Sequence, residues 1–271
     1  MIDVDRNALW LPPALAESTL YFETRYSEVR KGKKFSIPEN ATLTQAKLSR
    51  ANLSEAELSY ATLARADLSY ANLTSANLSH ANLSIAALPG SDLTKACLHY
   101  ASLHKAYLYN ATLREANLNR ANLRGADLTS SQLISANLSG ANLHRATLTN
   151  ADLTNADLYN ADLYNANLCG ANLTQVCLWD TTGNGREVIS IQTRKYKCAY
   201  TSEILQIGCK RHLIKDWWEF DDSTIDEMDY GALSWWKAHK RLLQDFIAAN
   251  PAQLTGHESQ SNLPTESRVD S

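Results

Sequence analysis

Between Leu43 and Leu178 a leucine occupies every fifth position, 28 centres without one exception. Alanine stands two residues earlier in 25 of the 28, the departures being Ser91, Ser131 and Val176. Asn or Asp directly precedes the leucine 16 times, and Ser or Thr often follows it. A helix turns about 100° per residue, so a five-residue step moves successive leucines by about 140° and leaves no stripe to bury. A flat strand fails as well, because an odd period alternates the leucine between its two faces. Ala and Leu, two apart, do share one face of a short extended segment, and the other residues must then turn the chain. Side and corner, repeated, wind a solenoid with Ala and Leu inside. Leu43, Leu78, Leu113, Leu148 and Leu178 mark its predicted core from end to end. One buried leucine returns roughly 1.5–3 kcal/mol, less than the backbone entropy of ordering five residues, so no repeat is stable without stacked neighbours. Ser and Thr are expected to bond turn backbone, and Asn and Asp to accept turn conformations.

The flanks break this rhythm. Residues 1–40 include PPALAESTLYFETRYSEVRKG, with Pro at a helix start and Gly32 near its end, which predicts a helical cap seated on the first coil through Leu15, Leu20 and Tyr21. The basic run Arg30 to Lys34 reads as a solvated connector rather than a nucleic-acid contact. After Trp179, REVISIQT and CAYTSEILQIGC have strand-like content. RHLIKDWWEFDD, STIDEMDYGA and LSWWKAHKRLLQDFIAAN read as helical. The pairs Trp217/Trp218 and Trp235/Trp236 supply enough aromatic area for a small core. The expected divisions are 1–40 (cap), 41–180 (solenoid), 181–250 (small α+β module) and 251–271, a polar tail expected to be disordered.

The A(D/N)LSx run from Ala41 to Asp180 closely resembles the pentapeptide-repeat proteins. That resemblance implies an all-β solenoid: a right-handed quadrilateral β-helix with four repeats per coil and about seven coils, roughly 34 Å tall at about 4.8 Å between strands. The stretch YTSEILQIGCKRH…WWEFDD…MDYGALSWWKAHK resembles a short C-terminal module of uncharacterised phage and prophage proteins, which implies a bacterial or phage source.

Four-sided coils stack residues 20 apart, which gathers His104, Lys105, Arg124, His144 and Arg145 on adjacent rungs. Such a patch suits an anion or an acidic partner, with histidines that would make it pH-sensitive, although a solvated wall has the same composition. A second set, Tyr60, His80, His99, Tyr100, Arg120 and Tyr159, is rich in the residue types of protein-binding hot spots, and equally reads as a supporting ladder. Cys209, His212, Cys198 and His239 are four potential zinc ligands whose spacing matches no standard finger, so no metal and no cofactor are expected. Asp152, Asp157 and Asp162 fall on successive sides and diverge, unlike an acid–base pair. No phosphate loop or serine elbow occurs, and an enzyme is not expected.

The 271 residues carry a net charge of −3 and five cysteines without a CxxC pair. With an N-terminus unlike a signal peptide and no 18-residue apolar window, this points to a reducing cytoplasm and no membrane span. Direct nucleic-acid binding is not expected. The reading that follows is a non-enzymatic scaffold that binds an unknown protein through its outer faces or its C-terminal module. Some pentapeptide-repeat proteins protect or inhibit DNA gyrase by imitating the negative duplex, and that resemblance supplies an alternative. Between residues 41 and 180, however, nine Lys and Arg meet ten Asp and Glu, a poor imitation of one charge per about 1.7 Å. A secreted effector scaffold is a further alternative.

Overall fold

The computed structural model describes residues 41–193 and 195–255. The expected N-terminal cap and the residues from Gly256 onward lie outside them. Within the repeat, each residue before a leucine forms a parallel bridge to the residue 20 further on, from Thr42↔Thr62 to Asp162↔Thr182. Four five-residue sides therefore close each coil. We number the walls by their first members: 41–45, 46–50, 51–55 and 56–60, each continued every 20 residues. The ladder runs two residues past the expected end at 180. Leu43 is 4% exposed, while Leu78, Leu113, Leu148 and Leu178 are fully buried. The alanines pack beside the leucines in the same core. Two exceptions to alanine remain satisfied inside it: the hydroxyls of Ser91 and Ser131 donate to Leu88 O at 2.7 Å and Leu128 O at 2.8 Å.

Each corner is a turn in which the alanine N–H donates to the preceding leucine carbonyl, as Ala46 does to Leu43 O at 3.1 Å. The third turn residue is left-handed at every corner, from Gln45 at φ 61° to Asp180 at φ 60°. Asn and Asp take this position as expected, at Asn110, Asn150, Asn155, Asn160, Asn165 and Asp180, but most of them have a second role. These stand on the flat side, where a side-chain oxygen accepts the N–H two residues on, as Asp67 does from Ser69 at 3.0 Å. The Ser69 hydroxyl donates to the same oxygen at 2.6 Å. The polar pair thus pre-forms the bend locally, and the strained position accepts Tyr, His, Arg, Lys or Ile.

Beyond the solenoid, β1 (Ile189–Gln192), β2 (Lys197–Tyr200), β3 (Ile204–Ile207) and β4 (Lys210–Leu213) form an antiparallel sheet in sequential order. Three helices follow: α1 (Ile214–Glu219), α2 (Asp222–Asp226) and α3 (Ala232–Ala249). RHL, expected as helix, lies in the last strand, because it pairs with Gln206, Leu205 and Ile204 before the chain turns into α1. Trp217, Trp235 and Trp236 are buried with Tyr200, Leu205 and Leu243, and Trp218 stacks on Trp236 at 5.8 Å. The module plugs the open end of the ladder. Gln206, 2% exposed, accepts the Leu178 N–H at 2.7 Å, and Arg211 donates to Gln175 O. Residues 251–255, expected to begin a disordered tail, instead pack: Ala252 and Thr255 are buried and Gln253 N donates to Arg186 O at 2.9 Å. Among the described residues no helix is long and apolar enough to cross a membrane.

Candidate interaction faces

Only three of five repeat positions point outward, and two of those three differ in freedom. The Asn or Asp before the leucine is occupied with its own turn, whereas the two corner residues are free to carry any side chain. Wall 1 uses those corner positions for cations. Arg65, Lys105 and Arg145 share one column, Arg124 stands in the adjacent one, and all four are exposed. His104 and His144 are half-buried beside them, and the His144 ring stacks on Tyr164 at 5.3 Å. The five residues expected from sequence to form a basic set are thus placed on one wall, in three successive coils. Arg65, two rungs below Lys105, belongs to the same column, separated from it by Ile85.

Charge is unevenly divided around the prism. Wall 1 has the four cations Arg65, Lys105, Arg124 and Arg145 against the single carboxylate Asp162. Wall 2 is balanced, Lys47 and Arg50 against Asp67 and Asp127. Wall 3 sets Lys95 and Arg114 against Glu55, Asp92, Glu115 and Asp152. Wall 4 sets Arg120 against Glu57, Asp157 and Asp180. Elsewhere some cations find partners, as Lys95 meets Glu115 at 3.6 Å and Lys197 meets Asp180, while Arg50 and Arg120 lie over the rings of Tyr70 and Tyr100. The four wall 1 cations make no ion pair among the described residues.

The aromatic set divides in two. Tyr60, His80, Tyr100 and Arg120 form one continuous stack on the edge between wall 4 and wall 1. Their ring centroids lie 4.7 Å apart for Tyr60–His80 and 5.0 Å for His80–Tyr100, in each case with 5° between planes. Arg120 closes the stack, its guanidinium carbon 5.5 Å from the Tyr100 ring centre and its NH1 bonded to the Tyr100 hydroxyl. Gly140 ends it, since even a Cβ there would stand 3.1 Å from Arg120 Cγ. His99 lies in the next column, edge-on to His80, and Tyr159 packs instead against Trp179 at 5.0 Å. Tyr60 and Tyr100 keep 51% and 45% of their surface in solvent, so supporting the ladder leaves them available for contact.

The chemical candidates separate. Asp152, Asp157 and Asp162 each accept a backbone N–H two residues on, from Thr154, Tyr159 and Tyr164, on three different walls. His212 lies against Trp217 and Phe220, and burial lowers its imidazole pKa; His239 bonds Trp235 O at 2.7 Å. Cys198 is buried, which pushes its thiol up to about 12, whereas Cys209 is exposed. Among the described residues no three His, Cys, Asp or Glu side chains gather as a metal site. The module has a partly open, largely apolar cleft of about 50 Å³ lined by Tyr196, Ile207, Trp217, Ile225, Trp235 and Trp236.

Pentapeptide repeats match in eight copies over residues 39–74, 71–108, 106–145 and 136–175. The chain belongs to the pentapeptide-repeat family. The family's right-handed quadrilateral β-helix is the four-walled ladder described above. Solved structures resembling it include a pentapeptide repeat protein of the Arabidopsis thaliana thylakoid lumen (28% identity, 34% of this chain, TM-score 0.34), of which the match spans only 65%. HetL of the cyanobacterium Nostoc sp. strain PCC 7120, a pentapeptide repeat protein involved in heterocyst differentiation regulation, is 34% identical over 58% of this chain and 92% of its own (TM-score 0.25). QnrB1, a plasmid-mediated fluoroquinolone resistance protein, is 17% identical over 53% of this chain and 91% of its own (TM-score 0.27). No curated protein matches the chain.

Proposed function

We propose that this pentapeptide-repeat protein is a non-enzymatic scaffold that binds another protein through its outer faces. The observation that carries this reading is the set of unpaired cations on wall 1, beside an edge of exposed rings. A rigid ladder presents them at fixed spacing, so little backbone freedom is lost on binding. A cytoplasmic protein of bacterial or phage origin is part of this reading, supported by the resemblance of the C-terminal segment. Imitation of duplex DNA before gyrase ranks lower. The most acidic walls, 3 and 4, each hold only two more carboxylates than cations along seven coils.

Capture from bacterial lysate by the tagged full-length protein tests the proposal when run beside the K105A/R124A/R145A and Tyr100→Ala/Arg120→Ala variants. The scaffold reading expects a captured protein that is depleted by at least one of these surface changes. Capture of nothing, or of the same proteins by every variant, would overturn it. Inhibition of gyrase supercoiling, or quinolone protection, at submicromolar protein would reverse the ranking of the two readings.

A further inference from the structure

Wall 1 holds its cations at a spacing that selects among acidic partners. Lys105, Arg124 and Arg145 lie on three successive rungs, at about 0, 4.8 and 9.6 Å along the solenoid axis. Residues i, i+3 and i+7 of an α-helix share one face and rise by about 0, 4.5 and 10.5 Å. An extended strand offers same-face residues only every ~6.7 Å and drifts out of step by the second rung. One rung below Lys105 stands Ile85, 37% exposed, and one rung above Arg145, in the column of Arg124, stands Tyr164, 53% exposed. The stripe therefore reads apolar, basic, basic, basic, apolar.

Resting on the scaffold reading, we propose that wall 1 is the docking site for an amphipathic helix of a partner protein, laid along the solenoid axis. That helix carries carboxylates at i, i+3 and i+7 and an apolar residue about one turn beyond each end. Three features favour such a helix over nucleic acid. Even over its three basic rungs the wall supplies only about one cation per 4.8 Å, and four cations over all seven, against one phosphate charge per about 1.7 Å of duplex. It is also narrow, since five residues span at most about 17 Å even when fully extended. The cations stand at the corner that leads into wall 2, where Lys47 and Arg50 are matched by Asp67 and Asp127, so a polyanion spreading past that edge meets no further net positive charge, and past the opposite edge it meets the net-acidic wall 4. The cations themselves are uncompensated among the described residues, so an incoming carboxylate displaces no internal partner.

The test is fluorescence anisotropy of a labelled alanine-based helix of about 20 residues, long enough to hold its shape, titrated with full-length protein. One probe carries Glu at i, i+3 and i+7 with Leu at i−4 and i+11. A control of identical composition spreads the three Glu around the helix. Single-stranded and duplex DNA serve as competing polyanions. The one-faced probe is expected to bind about tenfold tighter than the control and to weaken with salt, as exposed charge pairs do. The K105A/R124A/R145A variant should bind it no better than the control peptide, with an unchanged thermal transition. Should that variant unfold early, Arg124→Gln alone is expected to weaken binding about threefold. Equal binding of both peptides, unchanged binding by a folded variant, or preferred binding of DNA would overturn the proposal. Loss of lysate capture in the wall 1 variant without peptide discrimination would sink the helix and spare the scaffold. Failure of both assays would remove both.

Discussion

At the scale of single residues, the corner position concentrates the strain and the freedom of this fold. A left-handed backbone costs an L-residue about 1–2 kcal/mol, and a β-branched residue accepts it least readily. Ile85 occupies such a corner at φ 61°. Ile85→Asn is therefore expected to raise stability by up to about 1 kcal/mol, since Asn tolerates this conformation and Ile85 gives up only a partly exposed side chain. Urea midpoints of the two proteins check this, and a fall would mean that aliphatic packing along the column outweighs the backbone term. The core behaves oppositely. Leu113 is fully buried with neighbouring coils above and below, so Leu113→Asp should cost several kcal/mol and break cooperative unfolding of the solenoid. A circular-dichroism melt at unchanged midpoint would contradict the inward placement of that column.

At the scale of elements, the solenoid and its plug depend on each other. The last coil has no following rung, and an open ladder end is a template for association. Gln206 fills part of that gap through a buried bond to the Leu178 N–H. Gln206→Ala leaves this donor unsatisfied and should cost about 1–3 kcal/mol, read as a lowered urea midpoint and earlier aggregation on heating. Cys198 lies in the core of the same module. Its folded pKa is raised from 9.0 to about 12 by burial, so its contribution is intact below pH 9 and is lost as pH rises towards 12. Between pH 9 and 10 the wild type should therefore lose up to about 1.4 kcal/mol that Cys198→Ala does not lose, measured as the difference in the slopes of their unfolding free energies. The solenoid core was legible before any coordinates because the spacing of Leu43 to Leu178 excludes helix and strand by geometry alone. The plug was not. Nothing local to Gln206 marks it as a cap, and RHL looks helical until Leu205 lies opposite His212. Residues 251–255 misled for the same reason, since Ala252 is buried in the module's core and Thr255 accepts the Gly170 N–H of the last coil, neither of which their own composition shows.

At the scale of the whole molecule, net charge conceals how charge is arranged. The sequence places His104, Lys105, Arg124, His144 and Arg145 on one wall once the 20-residue coil is known. Their lack of compensation appears only when each wall is counted separately and the carboxylates are located. Wild-type stability then carries a repulsive term, because Lys105 and Arg124, and Arg124 and Arg145, occupy adjacent rungs with no carboxylate between them. Raising ionic strength from about 0.01 to 0.15 M shortens the screening length from about 30 to 8 Å, more than the separation of adjacent rungs but close to that of alternate ones. Screening should thus raise the thermal midpoint of the wild type more than that of the K105A/R124A/R145A variant. At low salt the variant should be equal to or slightly more stable than the wild type, within about 0.5 kcal/mol, as outward positions rarely contribute more. The Lys95–Glu115 pair and every other charge are common to both proteins, so the difference between their salt slopes isolates wall 1. A variant that melts earlier at low salt would show these cations holding the coils together, and a surface retained for binding would no longer be needed to account for them.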